Sequence, residues 1–166
     1  MEYANDSHIT IEMNNMNHHN DYPILVATFK NNTEMIKILI EYAKNYYINL
    51  EINNSNYCGD YPMLIATYKN NIETIQLLMD YTFQYNIILE INKSNNKRNY
   101  PILYAVDNDN IDIIKLLIKY SCKNNISIEL NEKYYYITSF NNNKKCYYMY
   151  YYYYIYYYIL VMFSLI

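Results

Sequence analysis

"GDYPMLIATYKNN", residues 59–71, is nearly repeated as "NDYPILVATFKNN" at 20–32 and as "RNYPILYAVDNDN" at 98–110. The step between copies is 39 residues. Tyr22, Tyr61 and Tyr100 keep it, as do Pro23, Pro62 and Pro101, Ala27, Ala66 and Ala105, and Leu39, Leu78 and Leu117. Glu51, Glu90 and Glu129 keep it too, and one step back is Glu12. There "ITIEMN" (9–14) lines up with "INLEIN", "IILEIN" and "ISIELN". The chain therefore reads as three units, near 22–60, 61–99 and 100–132, with part of another before 22. A regular internal period means a stacked array, in which each unit needs its neighbour to bury its apolar face.

Each unit divides into two helical blocks and a connector. A Pro at position 23, 62 or 101 suits the first turn of a helix, where its missing N–H is no loss. Asp21, Asp60 and Asn99 stand just ahead and are expected to accept from the free N–H groups. This first helix is short, roughly 23–30, with Leu25 and Ala27 inward. The pairs Asn31-Asn32, Asn70-Asn71 and Asp109-Asn110 signal a turn. Asn31 with Glu34, Asn70 with Glu73 and Asp109 with Asp112 have capping-box spacing. In the second helix Ile36, Leu39, Ile40 and Ala43 follow the helical i, i+3, i+4, i+7 rule. Met35 and Ile38 widen that stripe, as expected of a helix sandwiched between neighbours. The connector "INLEIN" alternates with period two and predicts an extended segment.

These blocks resemble ankyrin repeats over about residues 8–132. The family's Thr-Pro-Leu-His-x-Ala opening appears as "YPILVA", "YPMLIA" and "YPILYA". Its second-helix pattern appears as "EMIKILIEY", "ETIQLLMDY" and "DIIKLLIKY". The resemblance implies a mostly α fold, a solenoid of stacked helix pairs with short extended connectors. Armadillo, HEAT and tetratricopeptide arrays do not combine a Pro-initiated short helix with an extended connector. The chain departs from the family in three respects. Its unit exceeds the usual length of about 33 residues, the excess following Tyr42, Tyr81 and Tyr120. Ala43, Thr82 and Ser121 stand where the family stops its second helix with Gly, so that helix is expected to run on by about a turn. Tyr and Leu25, Leu64 or Leu103 replace the Thr and His of the opening, whose hydrogen bonds must be absent or remade.

The array is assigned to residues 1–132 and a non-repeat, Tyr-rich tail to 133–166. A further opening is due at 139–140, where Ser139-Phe140 stands instead. Residues 147–166 carry no charge and include ten tyrosines. Three readings compete for this tract. It has the length of a membrane span, although tyrosines through the middle would bury many hydroxyls. It could be a divergent terminal cap. Or it could be AT-rich sequence read past a true coding boundary, since 26 Tyr and one Gly suit an AT-rich gene. That composition also lowers the weight any single Asn or Tyr carries. Both ends read as cuts through a longer array.

A net charge of −3 with 17% charged residues gives no nucleic-acid footprint. Cys58, Cys122 and Cys146, odd in number and widely spaced, suggest neither a disulfide framework nor a zinc site. With no signal-peptide core, an intracellular, cytoplasmic location is expected. No phosphate loop, nucleophile elbow or H-E-x-x-H motif occurs. His8, His18 and His19 lack a registered partner ligand. The recurring glutamates are assigned to the connector's structure, because a feature of every unit serves the unit. No catalytic, cofactor or metal residues are assigned.

The resemblance implies a non-catalytic protein-protein interaction module, a scaffold or adaptor, from a longer chain. Two alternatives are an adaptor anchored in a membrane by 147–166, and the non-catalytic part of an enzyme whose active domain lies elsewhere. Recognition in such arrays sits where units differ. Val26, Ile65 and Tyr104 differ, as do Phe29, Tyr68 and Asp107, with Lys30, Lys69 and Asn108 beside them. Together with the loops at 54–60 and 93–99, the second carrying the basic Lys97 and Arg98, these are expected to line one concave edge. Other proteins are the expected partners.

Overall fold

The computed structural model describes residues 12–128. Six helices occur there and no strand: α1 Pro23–Phe29, α2 Thr33–Asn45, α3 Pro62–Tyr68, α4 Ile72–Tyr85, α5 Pro101–Asp107 and α6 Ile111–Lys123. The chain divides between Tyr120 and Ser121 into two compact units. Of the second, residues 121–128 are described, comprising the end of α6 and the turn after it. Glu12 apart, the expectations for residues before 12 and for the tail, 147–166 included, fall outside the described residues. Among the described residues no helix is long and apolar enough to cross a membrane.

Pairing follows the period. α1 packs on α2 and α3 on α4, while α1, α3 and α5 form a row of first helices and α2 lies against α4. The core is the repeated apolar set: Leu25, Leu64 and Leu103, Ala27, Ala66 and Ala105, and Leu39, Leu78 and Leu117 are all buried. Burying an aliphatic side chain of this size stabilises by about 1.5–3 kcal/mol, so the repeated positions carry the fold. Met35 and Ile38 are exposed, whereas Thr74 and Ile75 of α4 are buried. Thr74 meets α2 through Thr33, their hydroxyls 3.2 Å apart. The wider apolar stripe of α2 is therefore exposed, while at the register of Met35 one unit on, Thr74 is buried against α2.

The Asn-Asn turns work one residue out of step with the capping-box expectation. Asn31, Asn70 and Asp109 take left-handed backbone at φ 53°, 57° and 57°. They thereby end the first helix, and the next residue's N–H returns 3.0 Å to the carbonyl of Ala27, Ala66 or Ala105. This is the Schellman closure. The second residue is the actual N-cap. Asn32 Oδ1 accepts from Met35 N–H at 3.0 Å, Asn71 from Thr74 at 2.9 Å and Asn110 from Ile113 at 3.0 Å. Glu34 is not part of a box; its carboxylate meets Lys37 at 2.8 Å, and Lys37 also reaches Glu73 at 2.8 Å.

The second helices run past Tyr42, Tyr81 and Tyr120 as expected, to Asn45, Tyr85 and Lys123. A second left-handed residue then ends each: Tyr47 (φ 53°), Asn86 (53°) and Asn125 (54°). The following Ile48, Ile87 and Ile126 donate back to Ala43, Thr82 and Ser121 at 2.8, 2.9 and 2.9 Å. The family's glycine stop is thus moved four residues downstream.

The connectors alternate in burial, with Leu50 and Ile52, and Leu89 and Ile91, inside. They form no strand ladder, because asparagine side chains replace it. Asn14 donates to Asn49 O at 2.8 Å and accepts from Glu51 N–H at 3.1 Å. Asn53 does the same one unit on, to Ile88 O at 2.7 Å and from Glu90 N–H at 3.2 Å. In the glutamate register it is the backbone N–H of Glu51 and Glu90 that the stack uses.

The opening tyrosines are buried, and their hydroxyls remake the hydrogen bonding lost with the family's Thr. Tyr22 Oη donates to Asn54 O at 2.6 Å, and Tyr61 Oη lies 2.7 and 2.8 Å from the carbonyls of Glu90 and Lys93. Burial pushes both phenols well above the ordinary tyrosine range, with the nearby carboxylates Glu51 and Glu90 adding to it.

Candidate protein-binding surface

The loops ahead of the first helices are built by another asparagine register. Asn17 Oδ1 accepts from the N–H groups of His19 and Asp21, Asn56 from Cys58 and Asp60, and Asn95 from Lys97 and Asn99, all at 2.8–3.0 Å. Each is an Asx-type turn that folds a polar loop without a strand pair. The amides then join neighbours: Asn56 Nδ2 donates to Asp21 Oδ1 at 2.8 Å, and Asn95 Nδ2 to Asp60 Oδ1 at 2.7 Å. Asp21 and Asp60 therefore hold the next loop instead of capping their own helices, which corrects the expected role. Tyr22 and Tyr61, the N-cap residues, make no side-chain cap.

A cluster sits where α3 and α5 lie side by side. The rings of Tyr68 and Tyr104 are 5.0 Å apart between centroids, tilted by 56°. Lys69 Nζ stands 5.6 Å from the Tyr68 ring centroid. Asn108 Nδ2 donates to Thr67 O at 2.9 Å, tying the end of α5 to α3. Asn99 Nδ2 donates to Tyr104 Oη at 2.9 Å, so the loop carrying Lys97 and Arg98 is held beside the ring. A tilted aromatic pair is worth about 0.5–1.5 kcal/mol beyond the area it buries, which holds both rings in place. Tyr68 nevertheless remains 53% exposed.

Of the eleven candidate residues, the structure brings Tyr68, Lys69, Tyr104 and Asn108 together, with Lys97 and Arg98 in the adjoining loop. Val26, Lys30, Lys97, Arg98 and Asp107 are exposed and Phe29 is half-buried, at the register of Tyr68 one unit earlier. Ile65 is a correction. At 4% exposure it belongs to the core and offers no surface, since its helix α3 is flanked on both sides by α1 and α5. Tyr57 and Phe83, exposed by 66% and 69%, were not singled out from the sequence. An aromatic inside the polar loop "NSNYCGD" was the available signal for Tyr57.

The His18 and His19 rings lie 4.0 Å apart between centroids, tilted by 50°, and among the described residues no group of three His, Cys, Asp or Glu side chains is placed to hold a metal. Cys58 is exposed and Cys122 half-buried, both as free thiols.

Compared with known proteins, none of the curated sequences matches the chain. A family model described as "Ankyrin repeats (3 copies)" matches residues 5–88 and again 45–128. The two matches are offset by 40 residues, about one unit, and together they cover well over half of the chain. With the registered helix pairs, this places the chain in the ankyrin-repeat family, whose repeats serve in general as protein-interaction modules.

Proposed function

We propose that the chain is a non-catalytic protein-binding module whose partner docks along the row of first helices, centred on Tyr68 and Tyr104. One observation carries the reading: a half-exposed tyrosine packed against a second one, with Lys69 beside it, at positions where the units differ. Aromatic anchors already fixed in place supply contact area at low cost in conformational entropy, and such residues dominate binding energy in protein interfaces. The backbone of the units is uniform, so variation at Phe29/Tyr68/Asp107, and between Val26 and Tyr104, is variation in what the row presents.

The test compares proteins cross-linked to the full chain with those cross-linked to Tyr68→Ala and Tyr104→Ala. Phe83→Ala, exposed on α4, serves as the control. Partners lost with both tyrosine variants and kept with the control support the surface. Equal recovery by all four proteins would remove it.

A further inference from the structure

The cations of this stack are not distributed alike. Lys37, Lys93 and Lys115 each lie in an ion pair, with Glu34 and Glu73, with Glu90 and with Asp112. Lys30, Lys69 and Arg98 have no carboxylate among the described residues within ion-pair distance, and the same holds for Lys44 and Lys119 on the second helices. Of these five, Lys30, Lys69 and Arg98 sit on the candidate surface, where Lys69 also stands beside the Tyr68 ring. Lys30 and Lys69 are the C-caps of α1 and α3, one unit apart, and Arg98 adjoins Asn99, which donates to Tyr104. The aspartates Asp21 and Asp60 accept from the neutral amides of Asn56 and Asn95 and keep their charge, but they stand ahead of the helices whose far ends are Lys30 and Lys69. Asp107 ends the third first helix, so the positive positions are Lys30 and Lys69 at the ends of the first two, with Arg98 in the loop that follows.

We propose that the partner recognised by this row is an acidic polypeptide segment with one aromatic or large aliphatic anchor. The anchor packs on the Tyr68–Tyr104 pair while flanking carboxylates meet Lys30, Lys69 and Arg98. This rests on the protein-binding reading above and adds the partner's chemistry to it. The chain's net charge of −3 does not oppose it, because at physiological salt the field of distant charges is screened within about 8 Å. Local cations then decide which sign is steered in and which is rejected. A nucleic acid also offers negative charge and stacking faces. Three cations are few for it, since phosphate binding gains its affinity from many released counterions.

A random peptide library panned against the full chain and against a Tyr68→Ala/Tyr104→Ala double variant tests both layers. Peptides that require the tyrosines are expected to be net negative with a single apolar anchor. Lys69→Glu, an exposed substitution at a helix end that leaves the fold alone, is expected to weaken them about tenfold or more by like-charge contact. If the tyrosine-dependent peptides are neutral or basic, or if Lys69→Glu leaves them unchanged, the acidic partner is overturned and the surface stands. If no recovered peptide depends on the tyrosines, the surface falls and the inference with it. Tighter binding of a single-stranded DNA of about 16 nucleotides, the upper end of usual site sizes, than of any peptide would overturn it in favour of nucleic acid.

Discussion

Leu50 donates its backbone N–H to the phenolic oxygen of Tyr81, 2.8 Å away and one helix pair further along the stack. Leu89 and Tyr120 repeat the contact at 2.9 Å. Leu50 and Tyr81 are both buried, so this N–H has no water to turn to. The connector, having no strand partner, gets its hydrogen bond from the next unit's side chain.

Tyr81→Phe keeps the ring and removes that acceptor. A buried donor left unsatisfied costs about 1–3 kcal/mol, and a loss in that range is expected from urea unfolding of the full chain. Tyr57→Phe, at an exposed loop tip, is expected to change stability by less than about 0.5 kcal/mol. Equal midpoints for the two variants would mean that the Leu50 amide is satisfied elsewhere.

Asn56 serves three groups at once: the N–H groups of Cys58 and Asp60 and the carboxylate of Asp21. Asn56→Ala is expected to cost more than a single lost cap, about 2 kcal/mol. Hydrogen exchange should show the Cys58 and Asp60 amides opening first. Uniform exchange across the stack would contradict a role confined to this loop.

The buried phenols make the fold sensitive to alkali. Tyr22 and Tyr61 hold their protons more tightly when folded than the ordinary tyrosine value of about 10. Their contribution is therefore complete below about pH 10 and is lost as pH rises, because the unfolded chain releases protons that the folded one keeps. Each phenol steepens the fall by up to about 1.4 kcal/mol per pH unit. Urea midpoints between neutral and strongly alkaline pH should show this slope, reduced in Tyr61→Phe. An unchanged slope in that variant would show that Tyr61 titrates like a surface tyrosine.

The helices and the core were legible because they obey two strong signals, the Pro at the first turn and the 39-residue recurrence of apolar positions. The polar fastening was not. Asn14 and Asn53, and Asn17, Asn56 and Asn95, recur at the same step, yet asparagine is so abundant in this chain that the register was hidden in composition. The caps were misplaced by one residue because either Asn of a pair can end or begin a helix. Which one does is decided by the left-handed backbone of the first. Tyr68 and Tyr104 stand out in the sequence because they differ between units. Their 5.0 Å contact depends on how α3 and α5 pack, which spacing along the chain cannot state. Ile65 failed for the same reason, since variation at a buried position looks like variation at an exposed one.

Tyr47 was hidden too, because tyrosine carries no signal for left-handed backbone. Its side chain is 93% exposed and its φ is 53°, so it makes little packing while bearing the Cβ penalty of that region. Asn86 and Asn125 occupy the equivalent positions. Tyr47→Asn is expected to stabilise by about 0.5–1 kcal/mol, read as a raised urea midpoint. A lowered midpoint would show that the exposed ring contributes contacts that outweigh the strain.

Gly59 is the converse case. It holds φ 78° at the loop position where Asn20 and Arg98 hold 61°, so the angle alone does not demand glycine. Space does. A Cβ at Gly59 would lie 2.9 Å from Asn95 Cα and 3.0 Å from Asn96 N, both backbone atoms of the next loop. Those atoms cannot swing aside as a side-chain tip would, because Asn96 N–H is bonded to Cys58 O at 3.0 Å. Gly59→Ala must therefore push the two loops apart, at about 2 kcal/mol. It should also loosen the Asn95–Asp60 contact and, through Asn99, the seat of Tyr104. Loss of stability together with increased mobility of the Tyr104 ring by NMR is the expected outcome. A stable variant with Tyr104 unmoved would show that the loop row and the tyrosine pair are independent.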